Sequence, residues 1–211
     1  MDIIKNMKPP FNMMLVGATG SGKTNFIKFL FKNGLKQKFN LGVVICNTYE
    51  LHESYDGLVE PEFVHNIENK NDFSIFDSTF RSCKRFIEEG KKFQTFIIID
   101  DMIGSINFKD ERFVRYMATC RHYNISIFIL MQQITLYLPP GVRENVKYIG
   151  IFKIRETSID VTYKYVQHNF KNIKEYVSFL KNRPIHTMIL LYPDPEYEDD
   201  KMILIKPELI I

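Results

Sequence analysis

The chain has 211 residues, 45% of them apolar, enough for the core of one ordinary α/β domain with a small appendage. Its net charge of only +3 excludes a protein that grips nucleic acid statically over a broad basic surface, and limits any such contact to a local or shared one. No apolar run approaches the roughly 20 residues of a membrane span, and Lys5 and Lys8 lead into Pro9-Pro10 rather than into a signal-peptide core. The three cysteines, at 46, 83 and 120, have no C-x-x-C spacing and read as reduced, packed thiols, so a soluble intracellular protein is expected.

Pro9-Pro10 stops any helix before the first predicted strand, Asn12–Val16. That strand enters Gly17-Ala18-Thr19-Gly20-Ser21-Gly22-Lys23-Thr24, which fills every fixed position of G-x-x-x-x-G-K-[ST]. Phe26, Phe29 and Leu30 then recur at helical spacing, so the order is strand, glycine-rich loop, helix. Such a loop aims backbone N–H groups and a helix N-terminus at an anion. In this reading Lys23 reaches the outer phosphates and Thr24 offers its hydroxyl to a magnesium ion.

The helix should end near Asn33-Gly34, before a second strand, Gly42–Cys46. Residues 47–74 are polar and irregular, with a short helical candidate around Pro61–Ile67. Phe80, Cys83 and Ile87 mark a helix ending at Glu89-Gly90. A third strand, Phe96-Ile97-Ile98-Ile99, ends in Asp100-Asp101 at the strand edge where open α/β sheets bind ligands. The pattern reads as Walker B: Asp100 to hold magnesium, directly or through water, and Asp101 to orient or deprotonate an attacking water. The bland alternative is a solvated acidic turn.

Phe113, Tyr116, Met117 and Cys120 form the core stripe of the next helix, which runs into Arg121-His122-Tyr123. The fourth strand, Ile125–Met131, ends in Gln132-Gln133, where a carboxamide suits either a γ-phosphate sensor or an ordinary polar strand end. Leu138-Pro139-Pro140-Gly141 breaks the chain. A short helix or turn at Val142–Val146 and a fifth strand, Tyr148–Phe152, come next. Two amphipathic helices are marked by Ile159, Thr162, Tyr163 and Val166 and by Ile173, Tyr176, Val177 and Leu180. Residues 186–192 and 202–206 read as a C-terminal hairpin with an acidic tip at 193–200.

Two other matches compete. Asn69-Lys70-Asn71-Asp72 and Asp101-Met102-Ile103-Gly104 imitate the N-K-x-D and D-x-x-G of GTPases, but in the wrong order. A GTPase switch is therefore the second hypothesis, and a small-molecule kinase the third, because residues 155–185 offer only Arg155 and Arg183 for a lid. The five histidines are scattered without metal-ligand spacing.

The order Gly17–Thr24, Tyr55-Asp56-Gly57 with Pro61, Ile98–Asp101, Arg121–Gln132 and Arg143 with Asn145 resembles the poxvirus-type DNA-packaging ATPases of large DNA viruses and virophages, within the FtsK–HerA superfamily of P-loop ATPases. The resemblance runs from about Phe11 to Phe152. It implies a ring-forming, DNA-stimulated ATPase that moves double-stranded DNA into a capsid, without sequence preference and docked on a capsid or portal component, in the host-cell cytoplasm (the virus factory) or with the virion. It implies a mostly parallel sheet of order 5-1-4-3-2 flanked by helices, in a single domain with a core over 1–155 and C-terminal helices and hairpin over 156–211. Arg121 matches an arginine acting in trans on a neighbour's γ-phosphate, with Arg143 as runner-up, and Gln132 matches the sensor. Many relatives in the wider superfamily have Glu where Asp101 stands. The expected site is thus Lys23, Asp101, Gln132 and Arg121 for catalysis, residues 17–24 for ATP, and Thr24 with Asp100 for Mg2+.

Overall fold

Near-continuous apolar runs decide the architecture, because successive side chains of a strand point to opposite faces and both faces here are buried. The computed structural model describes residues 6–47, 55–102, 104–132, 138–184, 187–193 and 200–206. Among these, one eight-stranded sheet runs β3-β2-β4-β5-β1-β6-β7-β8. Its strands are β1 (Met13–Val16), β2 (Leu41–Cys46), β3 (Val64–His65), β4 (Thr95–Asp100), β5 (Ile125–Met131), β6 (Tyr148–Ile151), β7 (Met188–Pro193) and β8 (Asp200–Ile205). β1 to β6 pair in parallel, and β7 and β8 add antiparallel beyond β6. The C-terminal hairpin therefore extends the same sheet.

The helices that flank it are α1 (Lys23–Leu30), α2 (Ser74–Glu88), α3 (Glu111–Thr119), α4 (Pro140–Arg143), α5 (Ile159–Val166) and α6 (Ile173–Asn182). Met13, Leu15, Val44, Phe96, Ile98, Phe128 and Leu130 face one core with Phe26, Ile27, Phe29 and Leu30 of α1. Their neighbours Met14, Val16, Val43, Ile45, Ile97, Ile99, Ile127 and Ile129 face the other, against Phe76 and Phe80 of α2, Phe113 and Met117 of α3, and Val166 and Tyr176 further on. The result is an α/β/α sandwich whose two aromatic cores are insulated by the sheet. Burial, worth about 1.5–3 kcal/mol for each large apolar side chain, supplies its cohesion.

One expectation needs correction. The helical candidate around Pro61–Ile67 is a 3-10 turn, Pro61–Phe63, followed by β3, whose Val64 and His65 pair with Val44 and Ile45. Pro61 supplies a fixed first-turn φ, but the open edge of β2 offers ladder partners that an isolated short helix lacks. The acidic hairpin tip at 194–199 and Gln133 lie outside the described residues.

The register aligns the strand ends. Val16 lies beside Met131, Asp100 beside Leu130, and Cys46 beside Asp100. The carboxyl ends of β1, β4, β5 and β2 thus form one rim.

Candidate nucleotide-binding site

The loop after β1 is shaped by local backbone requirements. Gly20 and Gly22 have φ of 71° and 98°, conformations that side-chain-bearing residues rarely adopt. At Gly17 a Cβ would lie 2.5 Å from Phe152 Cβ and 2.6 Å from Ser21 Oγ, so the loop closes against β6 only because no side chain is there. Gly17 N donates to Met131 O and Ala18 N to Lys153 O, pinning the loop to its two neighbouring strands. The buried Ser21 Oγ has no hydrogen-bond partner among the described residues, as suits a loop built to enclose an anion.

Residues 19–25 with Asp100 and Asp101 line a cleft of about 240 Å³. Lys23 is buried, and its Nζ donates to Gly17 O at 2.8 Å and Ala18 O at 3.2 Å. Burial lowers its pKa, against the pull of the Asp100 and Asp101 charges. Phosphate oxygens would offer this ammonium better partners than two neutral carbonyls do.

Asp100, at the last position of β4, is 3% exposed. Its Oδ2 accepts from Thr24 Oγ1 at 3.0 Å and from Tyr55 Oη at 2.6 Å. Burial raises the Asp100 pKa, while those two hydroxyls and Lys23 favour the carboxylate. The Tyr55 pKa lies well above its usual value through burial and the adjacent Asp100 charge, so the phenol stays a donor. Tyr55 is fully buried and 45 residues from Asp100 in sequence. In the sequence it stands inside the Tyr55-Asp56-Gly57 motif with nothing to mark a role of its own.

Asp101 leaves the ladder in a left-handed conformation, φ 53°, with its N–H donating to Leu130 O at 3.1 Å. This turn parts the side chains of consecutive aspartates. Asp101 Oδ2 accepts from Gln132 Nε2 at 2.8 Å, so the residue after β5 steadies the residue after β4.

Thr24 and Asp100 suit a hard cation. Magnesium in nucleotide sites takes one or two protein oxygens beside phosphate and water, so it does not require the larger acidic clusters that are absent among the described residues.

Arg121 is elsewhere. It is exposed in the 3-10 turn Cys120–Tyr123 that precedes β5, whereas Gln132 follows β5. At about 3.3 Å per strand residue, the intervening strand separates Arg121 from the cleft by ~20 Å. Arg143 closes α4 before β6, beside Tyr165 in a separate 280 Å³ pocket. Buried Asn12 ties the two arginine segments together. Its Nδ2 donates to Met117 O and Asn145 O, and its Oδ1 accepts from Ile127 N and Cys120 Sγ.

Of the two GTPase-like tetrapeptides, Asn69-Lys70-Asn71-Asp72 does not line the cleft. Asn69 Oδ1 accepts from Asn71 N and Asp72 Oδ1 from Ser74 N, so these side chains close a turn and start α2.

A parallel sheet with this loop at the carboxyl end of β1, and paired acidic residues at the end of β4, defines a P-loop nucleotide-binding fold. The chain belongs to the poxvirus A32 protein family, whose model matches residues 3–201. It is 27% identical over 152 residues to the DNA packaging protein OPG160 of Variola virus, covering 70% of this chain and 55% of that protein. The chain thus spans about half the length of the curated relatives it matches. Among solved structures it is similar to the genome packaging NTPase B204 of Sulfolobus turreted icosahedral virus 2. The sulfate complex has a TM-score of 0.68 at 19% identity, covering 96% of this chain and 99% of that one. The ATP-gammaS complex gives 0.67 at 19% identity, covering 96% and 100%.

Proposed function

We propose that this chain is an ATP-hydrolysing motor subunit that works in a homo-oligomeric ring to drive double-stranded DNA into a viral capsid. The observation that carries the reading is the division of charge: a buried phosphate-binding set at one edge of the sheet and an exposed Arg121 ~20 Å away at the other. Such a chain holds a nucleotide, yet no arginine among the described residues lines its cleft. Support also comes from the functions of its relatives, a DNA packaging protein and a genome packaging NTPase solved with ATP-gammaS.

In this reading residues 17–24 cradle the phosphates and Lys23 exchanges its carbonyl partners for phosphate oxygens. Thr24 and Asp100 hold Mg2+, which when bound neutralises charge on the outer phosphates. Asp101 orients the attacking water or accepts its proton. Gln132, already bonded to Asp101, relays whether a γ-phosphate is present. Arg121 of a neighbouring subunit offers a planar, permanent cation to the charge that develops on the phosphoryl group; Arg143 is the runner-up. The whole of residues 1–211 acts as one ATPase domain. DNA is held weakly and without sequence preference, in keeping with the +3 charge. A capsid or portal component docks the ring, in the virus factory of the host cytoplasm or on the virion.

The test is nucleotide turnover, ATP beside GTP, with and without double-stranded DNA, in samples whose oligomeric state is measured. Turnover of ATP that rises with DNA is expected. A preference for GTP, or turnover indifferent to DNA in the assembled state, overturns the motor reading.

A further inference from the structure

Among the described residues Tyr55 is the one phenol whose hydroxyl donates to a phosphate-site carboxylate, and three features hold it there. Its ring is fully buried among the apolar side chains that pack α1 on the sheet. Its carbonyl accepts from Leu58 N at 2.9 Å and Val59 N at 3.4 Å, closing the turn after it. Lys36 Nζ donates to Gly57 O at 2.7 Å, fastening that turn to the segment beyond α1. The phenol therefore meets Asp100 in a direction fixed by the core.

The bond has a specific consequence. Thr24 and Tyr55 both donate to the same oxygen, Asp100 Oδ2. Any partial rotation of the carboxylate that carries this oxygen away from the two hydroxyls would strain both bonds at once, so the plane of the group is set. Thr24 Oγ1, donating its O–H to Asp100, keeps lone pairs that can face a cation. We propose that Tyr55 is a positioning residue for magnesium: it orients Asp100, through Oδ2, so that the carboxylate and the Thr24 hydroxyl present their oxygens to one metal ion. This deepens the proposed function and rests on its assignment of Thr24 and Asp100 to the metal. Partners that orient a metal's ligands commonly affect affinity by about 10–100-fold.

The test separates metal from nucleotide. Mn2+, which substitutes for Mg2+ and is detected by electron paramagnetic resonance, is titrated into the ADP complex of the wild-type chain, Tyr55→Phe and Asp100→Asn. ADP affinity is measured separately in EDTA. Tyr55→Phe is expected to weaken Mn2+ by about tenfold while metal-free ADP affinity changes less than about twofold. A merely structural tyrosine would move both or neither. Unchanged Mn2+ affinity in Tyr55→Phe, with Asp100→Asn losing the metal, overturns the inference and leaves the metal site standing. Unchanged Mn2+ affinity in Asp100→Asn overturns the metal assignment itself. Should Tyr55→Phe not fold, the unaltered chain labelled with 13C at tyrosine Cζ answers the same question. Adding Mg2+ to its ADP complex should shift one buried tyrosine signal, and a spectrum without any Mg2+-dependent tyrosine shift contradicts the proposal.

Discussion

The two edges of the parallel sheet are built on opposite principles. At the carboxyl edge the polar groups are turned inward and paired: Lys23 with two loop carbonyls, Asp100 with two hydroxyls, Asp101 with Gln132. At the amino edge the buried polar residues include Asn12, which makes four hydrogen bonds through its side chain, and Ser126, whose hydroxyl accepts from Phe11 N. Charged residues there, Arg121 and Lys147, are displayed to solvent. This contrast between a closed edge and an open one is what the proposed site shared between subunits builds on. The phosphate pole is preorganised within a chain, where desolvation strengthens its electrostatics. The guanidinium of Arg121 is exposed, and in the proposed ring it would be desolvated against a neighbouring subunit.

The largest expected effect breaks the amino edge alone. Arg121→Ala should keep the fold and nucleotide affinity yet lose about 10³–10⁵ of DNA-stimulated turnover, the worth of an arginine finger. Steady-state hydrolysis beside equilibrium binding reads both, and normal turnover would leave Arg121 no more than a favourable cation at a helix end. Asp101→Asn, at the carboxyl edge, should bind ATP but slow hydrolysis by about 10²–10⁴. Single-turnover kinetics distinguish this from weakened binding. Gln132→Ala removes one neutral donor from Asp101 and should cost only about fivefold, a hydrogen bond's worth; a loss as large as that of Asp101→Asn would mean that Gln132 touches the reacting atoms itself. The smallest effect concerns the thiols. Burial pushes Cys46 up to about 12 and raises Cys83 and Cys120 as well. Buried and shifted upward in this way, all three thiols should resist iodoacetamide at about pH 8 in the folded chain, and only unfolding should expose them. Rapid labelling of the native chain at Cys46 would show that the rim beside Asp100 opens.

The carboxyl edge was more legible in the sequence than its supports were. Gly17–Thr24 is contiguous, and its glycines are required by two left-handed φ values and one closed contact, so the motif carries its own physics. Asp100 and Asp101 follow an unbroken apolar run, which announces a strand end. Tyr55 was marked only as part of the Tyr55-Asp56-Gly57 piece of the family resemblance: an aromatic residue in a polar stretch gives no physical hint that the chain folds back to bring its hydroxyl to Asp100. Asn12 read as the polar start of a strand, because its partners lie 105 to 133 residues away. β3 was missed since two residues cannot show a period, and its pairing is decided by the free edge of β2. The hairpin was visible as alternation, but its attachment beside β6 depends on contacts such as Ile149 with Leu191 that local pattern does not encode.

The most direct measurement of a site shared between subunits mixes two inactive variants, Lys23→Ala and Arg121→Ala, in oligomers shown to contain both. Each mixed assembly then includes interfaces with an intact Lys23 on one side and an intact Arg121 on the other. Recovery of part of the DNA-stimulated ATP turnover is predicted, rising with the share of such interfaces. Assemblies proven to be mixed that stay as inactive as either variant alone would contradict the shared site.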